Sequence, residues 1–385
     1  MARLRVVHAA KFFPPIPGGM ESVVADLCAG TATDWDVRVV SSNDVRKTVH
    51  EQIDGVHVVR AASFGVRHSV PLCPEYPLQL WRRPADCVIL HEPNPVAGTS
   101  VFLRSPGRRL IVWHHSDLLR PSWAPATYGR LQRSLYRRAD CVIVSSPNLA
   151  AHSPLVAGAR RVAVVPFGVS LERFQTQDPA NAAHTAALRL SAAGPVFLFV
   201  GRLVYYKGLE VLIDAMAQCR GTLLIVGDGP LEDALRERTS ARGVSARVRF
   251  LGRVPAETLP AVYRAADVFV LPSVAFTETF GVAQVEAMAT GLPVISTNLP
   301  TGVPWVNQHG VSGLVVEPGD VEGLAAAMRR LGRDAAERTR LGDGAVTRAT
   351  SQFSRARMLA SFKDLVEQVV EQPMRVPALA GTGPA

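Results

Sequence analysis

A chain of 385 residues has room for two domains of ordinary size, or three. With 48% hydrophobic and 19% charged residues it has ample core, which excludes global disorder, and 6% aromatics argues against an aromatic-lined nucleic-acid or carbohydrate module. The net charge of +9 favours anionic partners, and Cys28, Cys73, Cys87, Cys141 and Cys219 contain no C-x-x-C pair, so neither a zinc site nor a disulfide framework is indicated.

The opening Met-Ala-Arg-Leu-Arg-Val-Val-His is too short an apolar run for a signal peptide, and Lys11 interrupts it. No stretch approaches the ~20 apolar residues of a membrane span, so the expectation is a soluble or peripheral protein of the cytoplasm. Residues 3–10 read as a strand. A Pro/Gly loop follows, then helical spacing over 21–30. Further strands are predicted at 36–41, 56–61, 87–91, 110–114 and 141–145. Runs of this kind, bounded by turns and separated by helices, are βα units around a parallel sheet.

Near Pro166 the pattern restarts. Residues 179–194 are Ala-rich and read as a linker with a lead-in helix. Residues 196–200 (Val-Phe-Leu-Phe-Val) have the composition of a fully buried strand. Strands at 223–226, 248–251, 268–271 and 293–296 follow, with helices at 209–218 and 231–242. A long helix covers 354–371, and 372–385 has the Pro, Gly, Ala and Thr content of a disordered tail. His8 and His57 fall in predicted strands and His50 and His184 in predicted loops. His114 and His115 end a strand.

The charge is unevenly spread. Residues 1–175 hold 21 Lys/Arg against 13 Asp/Glu, a net of +8, which leaves +1 for the rest. Nucleic acid, an anionic membrane and a phosphorylated substrate all fit that asymmetry. In open parallel sheets ligands bind beyond the carboxyl ends of the strands, so the loops there should carry the chemistry. Pro14-Pro15-Ile16-Pro17-Gly18-Gly19 follows the first strand and opens a helix whose N–H groups face outward. Gly201-Arg202-Leu203 and Lys207-Gly208 follow the buried strand at 196–200, and two cations five residues apart can hold a diphosphate. Glu278 precedes Phe280-Gly281-Val282 at a helix start. Glu286 lies eight residues further on in an apolar setting, so a solvated face does not account for it.

The Glu278-x7-Glu286 element, closing in Gly291-Leu292-Pro293-Val294, resembles the retaining nucleotide-sugar glycosyltransferases of family 4. The resemblance extends over nearly the whole chain. It includes Gly18-Gly19, the Arg202/Lys207 clamp, Val226-Gly227-Asp228-Gly229-Pro230 and Ala266-Asp267-Val268-Phe269-Val270-Leu271-Pro272-Ser273. His115-Ser116-Asp117, Ser146-Pro147-Asn148, Tyr205-Tyr206 and Val306-Asn307-Gln308 further resemble bacterial mannosyl- and rhamnosyltransferases of surface polysaccharide synthesis.

The resemblance implies an α/β chain of the GT-B fold, two Rossmann-like domains with parallel sheets facing a cleft. Residues 1–175 would bind the acceptor and 176–353 the sugar nucleotide, with helix 354–371 crossing back to the first domain. It implies catalytic roles for His115, Arg202, Lys207 and Glu278. The donor would be held by Gly18, Gly19, Arg202, Lys207, Val254, Glu278, Phe280, Gly281, Val282 and Glu286. Within that set Glu286 takes the ribose hydroxyls, Glu278 the donor sugar, and His115 the sugar or the acceptor.

No metal is required by this chemistry, because cations and helix-start amides already meet the departing charge. The D-x-D at Asp34-Trp35-Asp36 precedes its strand and lies at the wrong end of the sheet for a ligand. GDP-mannose is the expected donor, with UDP-, dTDP- and GDP-rhamnose-type sugars as alternatives. The expected acceptor is a polyprenyl-diphosphate-linked glycan. Residues 128–138, a basic helix with Leu131, Leu135 and Tyr136 interleaved, suggest docking on the anionic inner face of the plasma membrane. A sugar phosphorylase of the same fold and a basic nucleic-acid-binding protein are the competing classes. The latter is disfavoured by scattered Arg and sparse aromatics.

Overall fold

The computed structural model describes residues 3–16, 18–67, 70–117, 124–176 and 179–373. Two parallel sheets organise them. The second along the chain has the spatial order Val248–Gly252, Thr222–Val226, Val196–Val200, Val268–Leu271, Val294–Thr297, Gly313–Val316. All its pairings are parallel. In chain order this is 3-2-1-4-5-6, a doubly wound arrangement. The winding reverses between Val196–Val200 and Val268–Leu271, so the loops leaving those two strands part and open a crevice. Helices cover both faces, which is why the central strands read as unbroken apolar runs.

The first sheet has eight strands in the order Val162–Val164, Cys141–Val144, Gly107–His114, Ala85–Glu92, Arg5–Ala9, Asp36–Ser42, Val56–Ala61, Val49–Ile53. Only the Val49–Ile53 pairing is antiparallel. Here the winding reverses at Arg5–Ala9, between Asp36–Ser42 and Ala85–Glu92.

Three strands of these sheets escaped the sequence reading: Val49–Ile53, Val162–Val164 and Gly313–Val316. Each is an edge strand. Val49–Ile53 and Val162–Val164 alternate in exposure, and polar residues interrupt Val49–Ile53; Val162–Val164 and Gly313–Val316 are apolar but only three and four residues long. His50, expected in a loop, therefore lies in Val49–Ile53. His184, also expected in a loop, lies in the helix Pro179–Leu190.

Two devices hold the sheets with their carboxyl ends toward one crevice. The helix Ala335–Gln352 packs on the second sheet's helix Val282–Ala289, and Val169 and Phe353 are then joined by an N–H···O bond of 2.9 Å. The final helix, Arg355–Glu371, is capped by Ser354 Oγ, which accepts from Arg357 N–H at 3.2 Å. It lies against the first sheet's helix Gly19–Thr31. There Phe362 inserts among His8, Trp35 and Trp113, with ring centroids 5.5–6.0 Å apart. Arg355 Nε bonds Asp26 Oδ1 at 2.7 Å, and Lys363 pairs with Asp34. Asp34 and Trp35 of the D-x-D thus serve this seam.

The second device is aromatic. Phe167 meets Phe280 edge-on at 5.1 Å, and Phe280 also touches Trp305 and Phe353. Phe276 packs on the first sheet's helix-covered core. The five cysteines are free and buried. Among the described residues no helix is long and apolar enough to cross a membrane. From residue 374 on, the tail expected to be disordered lies outside the described residues.

Candidate active site

The crevice has two walls. On the second sheet, the loop after Val196–Val200 ends at Gly208, whose φ of +68° suits glycine. A Cβ there would sit 2.0 Å from the Pro272 carbonyl oxygen. Glycine therefore lets this loop touch the one after Val268–Leu271, and Val274 N–H bonds Tyr206 O at 2.8 Å. The contact brings Lys207 Nζ to 2.5 Å from Glu278 Oε2, with both side chains largely buried. Ser273 Oγ donates to the same carboxylate oxygen at 2.9 Å, and Thr301 Oγ1 donates to the Glu278 carbonyl at 2.7 Å. The family resemblance implies separate duties for Lys207 and Glu278, and the fold makes them one ion pair. Arg202 stands beside it, exposed, and bonds no side chain among the described residues.

Beyond Glu278 the chain turns at Gly281, φ +73°, where a Cβ would meet Leu271 Cδ2 at 2.5 Å. The helix Val282–Ala289 starts there. Its first N–H groups have no partner within the helix and form its positive end. The expectation that Phe280 contacts the donor needs correcting. The whole residue is 1% exposed, with its ring wedged among other aromatic rings, so Phe280 braces the crevice wall from behind. Glu286 is half-buried, and its Oε2 accepts from Tyr263 O–H at 2.7 Å. Burial raises its pKa, which the Tyr263 bond partly offsets. Val254 lies past the end of the edge strand Val248–Gly252, half-buried against the main core.

On the first sheet's wall, Gly18 and Gly19 open the helix Gly19–Thr31. Burial raises the Glu21 carboxyl, while the charges of Lys11 and Arg202 pull it down. The field of Arg202 therefore spans the crevice to the glycine loop. Burial lowers Lys11.

His115 is buried at the end of Gly107–His114. Its Nε2 lies 2.9 Å from His91 Nδ1, and His91 Nε2 lies 3.0 Å from His8 Nδ1. Burial pushes His115 and His8 down to about 3 and His91 well below its usual value, so all three are neutral at neutral pH. The His115 ring stacks on Phe167 at 5.6 Å, which links it to Phe280 of the opposite wall. His114 points to the other face of the sheet, with Nδ1 2.6 Å from Tyr136 Oη.

Sequence reading missed Lys11, Glu21, Ser273, Tyr263, His8 and His91 as parts of the site or its support. A signal existed for the histidines. His8, His91 and His115 all lie at the carboxyl ends of what become neighbouring strands, where a polar ring should meet a ligand.

The basic helix, Ala124–Arg138, is also corrected. Leu135 and Tyr136 are buried in the protein's own core, so they are not free to enter a bilayer. Arg130, Arg133, Arg137 and Arg138 are exposed.

Residues 18–168 match the Glycosyl transferase 4-like domain family, and residues 183–348 match Glycosyl transferases group 1. The chain is 29% identical to O-antigen chain mannosyltransferase C of Escherichia coli, over 96% of this chain and 99% of that one. It is 29% identical to D-rhamnosyltransferase WbpZ of Pseudomonas aeruginosa, over 91% and 92%. It is 28% identical to a GDP-mannose-dependent phosphatidylinositol monomannoside mannosyltransferase of Mycobacterium tuberculosis, over 94% and 98%. In fold it is similar to sucrose-phosphate synthase of Thermosynechococcus elongatus, with a TM-score of 0.80, 24% identity and coverage of 95% and 99%. It is also similar to Anabaena HepE solved with UDP-glucose, with a TM-score of 0.77, 22% identity and coverage of 94% and 99%.

Proposed function

The chain belongs to the GT-B nucleotide-sugar glycosyltransferases of group 1 type, and from that premise we propose that it transfers mannose from GDP-mannose to a polyprenyl-diphosphate-linked glycan in bacterial surface polysaccharide synthesis. The observation that carries the reading is the Lys207–Glu278 pair at the reversal point of the second sheet, flanked by exposed Arg202 and the helix start at Gly281. A diphosphate laid there meets two cations and outward N–H groups. Two relatives of nearly full length carry mannose in their names, and one of these names GDP-mannose. A rhamnose donor is the second reading, favoured by the likeness to the D-rhamnosyltransferase.

The acceptor hydroxyl attacks the anomeric carbon as the bond to the nucleoside diphosphate breaks, with retention of configuration. The departing oxygen takes the acceptor's proton, so no side chain need act as base. Arg202 and Lys207 bind the growing phosphate charge, and the Gly281 and Val282 amides add two donors. Such preorganised contacts are each worth roughly 3–4 kcal/mol of barrier. Glu278 holds Lys207 in place and presents its remaining oxygen to the sugar. Glu286 receives the ribose hydroxyls through its free oxygen, and Val254 borders the base. Gly18 and Gly19 let the first wall approach the phosphates, and His115 faces the sugar.

The first domain binds the lipid-linked acceptor. The exposed arginines of Ala124–Arg138 rest on the anionic inner face of the plasma membrane by charge alone. The test is GDP release with GDP-mannose, UDP-glucose, dTDP-rhamnose and GDP-rhamnose offered in turn with a lipid-linked glycan acceptor. Turnover with GDP-mannose alone supports the reading, and turnover only with a non-mannose donor overturns it.

A further inference from the structure

His8, His91 and His115 form a continuous hydrogen-bonded row running inward from the crevice. Their rings are nearly coplanar, 16° and 28° apart, and their centroids lie 5.3 Å apart for His8 and His91 and 5.2 Å for His91 and His115, the spacing of rings joined edge to edge through their nitrogens. Trp113, Phe167 and Phe362 enclose the row. A neutral imidazole has one N–H and one lone pair, so each bond in the row needs a donor on one ring and an acceptor on the next. Only two arrangements satisfy both bonds.

In one, every N–H points inward. His8 Nε2 then carries a proton, and His115 Nδ1 offers a lone pair. In the other, every N–H points outward. His8 donates from Nδ1 and His91 donates from Nδ1, leaving the His8 Nε2 lone pair bare and a proton on His115 Nδ1. The inner end decides between them. His8 Nε2 is sealed from solvent and has no hydrogen-bond partner. Folded chains avoid a buried, unpaired N–H more strictly than a buried, unpaired acceptor. The outward arrangement is therefore favoured. His115 Nδ1 is the outer end of the row, at the carboxyl end of its strand, and nothing among the described residues bonds it.

We infer that His91 and His8 are positioning residues that fix His115 in its Nδ1–H tautomer, so that it donates a hydrogen bond into the crevice and takes up no proton. A proton relay is excluded by the same geometry, because a proton passed inward would stop at His8 Nε2 with no exit. Tautomer and ring orientation are set together, as a second partner sets them for any functional histidine. The consequence for turnover rests on the reading of His115 as facing the donor sugar, but the tautomer does not.

The experiment uses the full chain with 15N-labelled histidine, and the His115 signals are assigned by their loss in His115→Phe. Long-range 1H–15N correlation spectra at neutral pH should show His115 with a protonated Nδ1 and a bare Nε2. A protonated Nε2, an average of the two tautomers, or an imidazolium overturns the inference. His91→Leu removes the partner and should lower kcat by about 10²-fold with little change in KM, the cost of a loosened catalytic group. His91→Gln can donate its amide N–H to the same Nε2 and should keep kcat within roughly tenfold of the parent. Equal loss in both variants, with His115 spectra unchanged, would mean that His91 only fills space. If the proposed donor is wrong, the tautomer pattern persists and only the kinetic arm is silent. If His91→Leu does not fold, the parent spectrum still decides.

Discussion

The two walls of the crevice solve different problems. The second sheet's wall is charged and lies in loops: Arg202, Lys207 and Glu278 stand where two strands part. The first sheet's wall is neutral where His115 lies and buried, with three imidazoles held below their usual pKa by desolvation. Charge that moves during reaction needs preformed countercharge, whereas a neutral sugar needs oriented donors. The division is the one that the proposed donor requires, with its phosphates on the second sheet's wall.

The largest effect should come from the charged wall. Lys207→Ala should lower turnover by about 10²–10³ and also lower the melting temperature, because it leaves the buried Glu278 carboxylate without its partner. Arg202→Ala should act similarly, and the double variant should lose less than the product of the two, since both cations serve one ligand. Full activity in Lys207→Ala would dissolve the contrast between the walls.

Next is the first domain's outer surface. Replacing Arg130, Arg133, Arg137 and Arg138 with Gln should cut binding to anionic liposomes steeply, at about 1 kcal/mol for each arginine near the surface. Added salt should weaken the parent's binding, because exposed charges are screened over ~8–10 Å. Co-sedimentation that is equal on anionic and neutral vesicles would leave the helix as a solvated face.

A smaller effect concerns pH. Buried Glu92, which accepts from Tyr128 O–H and Gln132 N–H, is raised from 4.5 to about 7 by burial. Its contribution is complete below pH 4.5 and is lost as pH rises through 7. His8 and His115 act in the opposite direction: their stability is complete above 6.5 and is lost as pH falls toward about 3, and His91 is lowered in the same sense. Glu92→Gln should therefore gain melting temperature relative to the parent as pH is raised from 4.5 to 7. A constant difference would place the Glu92 carboxyl at its ordinary pKa. Smallest of all, excess EDTA should leave turnover unchanged, since side chains and amides already meet the phosphates. Loss restored by Mg²⁺ or Mn²⁺ would contradict this.

The charged wall was legible in the sequence because its residues cluster in short segments with glycines at the turns, as in Arg202 to Gly208 and Glu278 to Glu286. The central strands were legible because burial on both faces leaves runs such as Val-Phe-Leu-Phe-Val. The neutral wall was not. His8, His91 and His115 are 83 and 24 residues apart, and only the strand order places them side by side. Val49–Ile53 was hidden because polar residues break its apolar run, and Val162–Val164 and Gly313–Val316 because their runs are short. The Lys207–Glu278 pair depends on a glycine contact between two loops that no spacing reveals. Phe280 looked like a ligand contact because it precedes the helix start, yet a large ring at a seam between sheets is more stable buried.

In the proposed reaction the diphosphate of a guanine nucleotide rests on Arg202 and Lys207. Thermal-shift titration of the parent and of Lys207→Ala with GDP, GMP and UDP tests it most directly, because binding to the folded state alone raises the melting temperature by mass action. GDP should give a clear rise, GMP and UDP a much smaller one, and Lys207→Ala should lose the GDP response. An equal GDP response in parent and variant would contradict it.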